Sequence, residues 1–175
     1  MIRYLIAFIL STAPFGANAS VKVAFFEARD ANGKIVTMEK GGRFIHVAIS
    51  VGNKWMHAHP YWGVQLVDSL KKIGDPAVIL TDESVADLNE SQVQKYLRQK
   101  YDSSFSWEDH DKTYCSKLIA NILQISPSPM QFTGTVWQFQ NRARAQGVGV
   151  SPDDVFNELK SRGYHSWMNR CEQVF

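Results

Sequence analysis

Apolar and polar positions alternate in the first half of the chain and recur at helical spacing in the second. Val21 to Arg29 reads as strand, Asp30-Ala31-Asn32-Gly33 as a turn, and Phe44 to Val51 as a second extended run rich in β-branched residues. Gly52-Asn53 supplies a two-residue hairpin turn into Lys54 to His59, and Val64 to Val67 and Ala77 to Leu80 read as shorter strands. Ser91 to Lys100 carries Val93, Tyr96, Leu97 and Lys100 at helical spacing, with Asn89 or Ser91 as cap. A second helix is predicted from Cys115, whose buried face it shares with Leu118, Ile119 and Ile122, and a third from Thr135 to Ala145. The fourth has Ser151 as N-cap, Pro152 at the first helical position, Asp153 and Asp154 in the first turn and Gly163 past its end. Strands first and helices later predict an α+β fold.

A two-residue turn also fixes register. With Val51 facing Lys54, Ser50 faces Trp55, Ala48 faces His57 and His46 faces His59, which puts three histidines on one face of the sheet. Ile45, Val47, Ile49, Val51, Met56 and Ala58 form the opposite, apolar face. Ala48, small and beside His46, leaves room for the cysteine helix to approach.

Residues 1–19 fall outside this pattern. Arg3 is followed by a mostly apolar run from Leu5 to Phe15, and Ala17-Asn18-Ala19 has the small residues a signal peptidase requires, so cleavage before Ser20 is expected. The domain would then be residues 20–175, exported to the periplasm or secreted. No later apolar run reaches the ~20 residues needed to span a bilayer, so no stable membrane insertion is expected after the leader is removed. The 175-residue chain is 45% apolar, enough for one real core, and shows no repeat or long linker. Its net charge of +2 gives no argument for nucleic acid, and no cofactor-binding motif stands out.

The chemistry concentrates on two residues. His46 lies in a strand-like run and Cys115 opens a helix-like one, Tyr114-Cys115-Ser116-Lys117-Leu118-Ile119. A helix N-terminus beside a histidine lowers a cysteine pKa below its free value of about 8.5, so the pair points to a thiol hydrolase with an activated thiolate. An exported protein with two cysteines also suggests the alternative of a Cys115–Cys171 disulfide.

The segment His46-Val47-Ala48-Ile49-Ser50-Val51-Gly52-Asn53-Lys54-Trp55-Met56-His57-Ala58 resembles the histidine segment of NlpC-type papain-like peptidases. The stretch Tyr101-Asp102 through Phe105 to Tyr114-Cys115-Ser116-Lys117-Leu118-Ile119 is similar to the YiiX and YaeF group, a circularly permuted branch in which the histidine strand precedes the cysteine helix. His46 precedes Cys115 here, as in that branch. The resemblance spans roughly Phe44 to Leu123. It implies a papain-like antiparallel sheet packed against helices, with Cys115 as nucleophile, His46 as general base, His57 orienting the imidazole, and Tyr101 with the Cys115 backbone N–H stabilising an oxyanion. Where many permuted relatives carry Glu, this chain has His57, with His59 as the alternative orienting residue. The Phe25-Phe26-Glu27-Ala28-Arg29 stretch does not match the family's usual N-terminal motif.

The implied substrate is a peptide, amide or acyl compound of the cell envelope. Acyl transfer or deacylation on lipids or amines is an alternative, and so is a non-catalytic module that holds a peptide or amino acid. His57 and His59 share a face and would also suit a metal. Asp109-His110-Asp111 reads as a solvated loop, Tyr61, Trp62 and Trp107 as cleft or packing aromatics, and Arg142 and Arg144 as the wet side of a helix.

Overall fold

Gly52 adopts a φ of 58°, a conformation open to glycine at little cost, and closes the hairpin around which the sheet is built. The computed structural model describes residues 20–130, 133–138 and 147–167. Its strands in chain order are β1 Ser20–Phe26, β2 Ala28–Arg29, β3 Ile35–Val36, β4 His46–Val51, β5 Lys54–His59, β6 Gly63–Val67, β7 Val78–Ala86, β8 Lys100–Tyr101, β9 Lys112–Thr113, β10 Ser128–Met130, β11 Gly147–Gly149 and β12 His165–Ser166. The α-helices are α1 Glu90–Val93, α2 Cys115–Leu123 and α3 Pro152–Ser161. Six strands form one antiparallel sheet in the order β12-β7-β1-β4-β5-β6. The fold is α+β, with helices packed on an antiparallel sheet.

One sheet face is the apolar face expected from the hairpin. Val47, Ile49, Met56 and Ala58 join Val21, Val23, Phe25 and Leu80, and α2 and α3 cover them with Leu118, Ile119, Val155 and Leu159. Burying side chains of this kind contributes roughly 1.5–3 kcal/mol each before entropy is counted. The other face carries Ala24, Phe26 and Ala48, packed by Trp55, Leu70, Ile73 and Ile79. This corrects the expectation for Ala48: the cysteine helix lies against the Val47 face, and the stretch around Leu70 and Ile73 approaches Ala48 instead.

Other differences have local causes. The helix expected over residues 91–100 shrinks to α1, capped by Asn89 in a reciprocal capping box with Gln92, and a 3₁₀ turn over Gln94–Tyr96. Lys100 is strand, because β8 pairs in parallel with β9, Lys100 opposite Lys112 and Tyr101 opposite Thr113, while the Gln99 carbonyl accepts from the Val64 amide beside it. β7 runs beyond Leu80 through Thr81-Asp82-Glu83-Ser84, a polar stretch that side-chain pattern reads as loop. Thr81 pairs with both β12 and β1, and Ala86 pairs with Ser20 beyond a register shift that spans the residues between. Of the helix expected from Thr135 to Ala145, the described part is a 3₁₀ turn over Thr135–Gln138; the remainder, with Arg142 and Arg144, lies outside the described residues. So do the expected leader and Cys171.

The start of α3 also fixes the chain leading into β4. The Asp153 carboxylate accepts from the backbone N–H of Arg43 at 2.8 Å and of Phe44 at 3.3 Å. A Cβ on Gly42 would come within 2.5 Å of that carboxylate, so the close approach depends on glycine there. His46 follows four residues after Gly42.

Candidate active site

The described β4–β5 ladder pairs Val51 with Lys54, Ser50 with Trp55 and Ile49 with Met56, and goes no further. Past that point β4 pairs with β1, through Phe26–His46 and Phe25–Val47, while β5 pairs with β6. The strands part at the level of the histidines. In a two-residue hairpin the bonded pairs alternate outward from the turn, so the Val47 N–H points toward β5. Instead of a β5 carbonyl, it faces the sulfur of Cys115.

Cys115 is the first residue of α2 and a free, buried thiol. Besides Val47, the backbone amides of Cys115 and Ser116 are directed at the sulfur. Each favours the thiolate, yet burial outweighs them and pushes the thiol up to about 11. His46 gives no compensating positive charge. Burial, with His57 and His59 adding like-charge repulsion, holds its imidazole down to about 3. The expectation of a preformed thiolate is therefore corrected: the resting site is a neutral thiol and a neutral imidazole.

His46 Nε2 lies 3.1 Å from His57 Nδ1, which bridges the gap between the parted strands. His57 is buried and pushed down to about 4 by desolvation and then by His59. Two neutral imidazoles share one proton in such a contact. If His46 Nε2–H donates to His57 Nδ1, the Nδ1 of His46 is left as a bare acceptor; the reverse tautomer puts a proton on Nδ1 and blocks it as a base. His59 is engaged elsewhere: its Nδ1 accepts from the Tyr61 amide at 3.1 Å, and its ring stacks on Trp62 at 4.2 Å. The diagonal histidine, not the directly opposed one, touches His46.

These residues line one cleft of about 320 Å³, shared by His46, His57, His59, Tyr101 and Cys115, with Met38, Ile45, Ile73, Phe105 and Val136 as apolar walls. Tyr101 is half-buried, and desolvation together with the neighbouring Cys115 and Asp102 raises its phenol well above the ordinary range. It stays protonated and remains a hydrogen-bond donor at any working pH. Tyr114, the N-cap of α2, makes no side-chain cap bond; its hydroxyl instead accepts from the Val150 amide at 3.2 Å. The first amides of α2 are thus not claimed by a capping oxygen from Tyr114.

Sequence reasoning missed Met38 and Ile73, which lie in no motif, and gave no role to Phe105 or the Val47 amide, although both lie in the segments that carry the resemblance. Tyr61 and Trp62 stand in solvent, 88% and 69% exposed, and Trp107 packs at the core's edge rather than in the cleft. Asp109, in the stretch read as a solvated loop, is tied down: its side chain accepts from the amides of Asp111 and Lys112 and its carbonyl from Lys117. Among the described residues no group of three or more His, Cys, Asp or Glu is arranged to hold a metal ion, and no helix is long and apolar enough to cross a membrane. Comparison with protein-family models, with curated proteins and with solved structures finds no match to this chain.

Proposed function

We propose that the chain is an exported thiol hydrolase that cleaves an amide or ester through a covalent acyl-enzyme, on a papain-like domain of the permuted NlpC type similar to the YiiX and YaeF group. The observation that carries this reading is the His46–His57 hydrogen bond in a cleft that also holds a thiol at a helix start. The Cys115 proton passes to His46 Nδ1 as sulfur bonds to the acyl carbon, and the carbonyl π pair moves onto oxygen. The backbone N–H of Cys115 and the Tyr101 hydroxyl are the donors for that oxyanion. The intermediate collapses as the bond to the leaving amine or alcohol breaks, and the His46 imidazolium returns its proton to that group. Water then attacks the thioester carbon while His46 takes its proton, the C–S bond breaks, and the thiol is reprotonated.

A neutral resting pair makes proton transfer part of the attack rather than a step before it. His57 accepts from His46 Nε2–H and so stabilises the imidazolium that forms only during turnover. One observation favours a second reading, a binding module on the same fold: burial keeps both thiol and imidazole neutral. Intact-mass analysis after incubation with fractionated cell-envelope extract separates the two. A mass increase that maps to Cys115 and disappears in Cys115→Ala supports the hydrolase and names the acyl group. Discharge to water marks a hydrolase, and discharge to an added amine or lipid marks an acyltransferase. Non-covalent retention alone supports the binder.

A further inference from the structure

Lys117 sits two residues beyond Cys115 on α2, and it is buried, with 2% of its surface exposed. An ammonium has three donors and no acceptor, and desolvating it is costly unless those donors are used. All three are. Nζ donates to the carbonyls of Ser106 at 2.8 Å, Asp109 at 2.5 Å and Lys112 at 3.2 Å. Trp107 presents its ring 6.0 Å from Nζ. The loop between β8 and β9 is folded around a cation that the chain itself supplies.

The same loop is held at its other end by the buried Asp102 carboxylate, which accepts from the Ser104 amide and hydroxyl and from the Ser106 amide. Ser106 is therefore gripped on both sides, its N–H by Asp102 and its C=O by Lys117. Phe105 directly precedes it with a φ of 54°, a left-handed conformation that a bulky residue rarely adopts. Its ring lines the Cys115 cleft and packs on Tyr114 at 5.0 Å and Tyr101 at 6.2 Å.

We propose that Lys117 is a positioning residue whose ammonium, clamped by three loop carbonyls, holds Phe105 in its left-handed conformation and thereby sets which groups the cleft admits beside Cys115. This rests on the reading of that cleft as the substrate site, but it can be tested with the thiol alone. The ammonium is the organising centre, so a cation of the right shape should replace it. Replacing Lys117 by alanine removes a side-chain fragment equivalent to n-propylammonium.

The test compares alkylation of Cys115 by N-phenylmaleimide and by iodoacetamide at pH 8.5, followed on the Cys115 peptide by mass spectrometry. In Lys117→Ala the ratio of the two rates should move by roughly an order of magnitude, the scale of a lost left-handed constraint. Added n-propylammonium should restore it, and tetramethylammonium at equal concentration should not. An unchanged ratio in the folded variant, or equal rescue by both salts, overturns the proposal. If Lys117→Ala does not fold, two measurements decide instead. The Lys117 ammonium of the intact protein should give a ¹⁵N resonance protected from exchange, and Phe105→Ala should shift the same ratio. An ammonium exchanging as freely as surface lysines, or a Phe105→Ala variant with the parental ratio, overturns it. Absence of any acyl adduct in the envelope experiment bears on the hydrolase reading and leaves this result standing.

Discussion

Helices α2 and α3 begin in opposite ways. At α3, Ser151 and Asp154 form a reciprocal capping box, Pro152 fills the first helical position, and Asp153 extends the acidic first turn. The start of α2 has Tyr114 as N-cap with no side-chain cap bond, no acidic residue in the first turn, and amides facing the sulfur of Cys115. One start satisfies its own backbone; the other leaves it to the sulfur of Cys115. Local rules broken without local compensation mark the functional end of a fold. The two are joined through Val150, whose carbonyl accepts from Ser116 and whose amide donates to Tyr114.

The largest effect expected from breaking this contrast is loss of the sulfur. Cys115→Ala should reduce turnover of the substrate found by mass analysis by ~10⁴-fold or more, while leaving the circular dichroism spectrum unchanged. Residual turnover within tenfold of the parent would place the chemistry elsewhere.

Next in size is His57. Its hydrogen bond holds the His46 ring, and the proposed mechanism needs His57 as the acceptor, so His57→Ala should lower turnover by roughly 10²-fold or more. His59→Ala should cost much less, since His59 contacts Tyr61 and Trp62 rather than His46. Near-parental turnover in His57→Ala together with loss in His59→Ala would overturn the assignment.

Much of this contrast was legible in the sequence. The hairpin register, the start of α2 at Cys115 and the capping box of α3 all follow from local rules, namely a two-residue turn, 3.6-residue spacing and cap chemistry. The His46–His57 contact does not follow from that register, which opposes His46 to His59: the ladder ends at Ile49–Met56, and only the family resemblance pointed to His57. What stayed hidden depends on long-range packing. Nothing around Lys117 announces that its ammonium meets three carbonyls, and β7 extends past Leu80 because Thr81 pairs with β12 and β1 and Ala86 pairs with Ser20 across a register shift. The ionisation of the site was misread for the same reason. Helix position and a nearby histidine are visible locally, whereas the burial that outweighs them is a property of the assembled fold.

The pH response follows from that burial. His46 and His57 have folded values depressed to about 3 and 4, against about 6.5 unfolded. Their neutral forms stabilise the fold above pH ~6.5, and that stability is lost as pH falls toward 4 and 3, because the unfolded chain takes up the protons first. The Cys115 thiol has a raised folded value, so its contribution is present below its unfolded value of about 8.5 and is lost as pH rises toward 11. Denaturant unfolding across pH 4–10 should show both flanks. Cys115→Ala should reduce the alkaline one and His46→Gln the acid one. Alkylation of Cys115 should climb through pH 7–10 with no plateau on the acid side; a plateau below pH 7 would mean that the thiolate is already formed at rest.

The smallest effect tests whether the two helix starts are independent. Ser151→Ala removes the oxygen that accepts from the Asp154 amide at 3.1 Å, and should cost ~1 kcal/mol in chemical denaturation, with Ser151→Gly costing only a few tenths. The Val150 contacts that reach α2 run through its backbone carbonyl and amide and do not use the Ser151 hydroxyl. Cys115 alkylation in Ser151→Ala should therefore stay within about twofold of the parent, since sites without shared partners behave additively. A rate that shifts in proportion to the lost stability would mean that the cap of α3 acts through Val150 on the reacting end of α2. The contrast between the two helix starts would then describe one coupled unit.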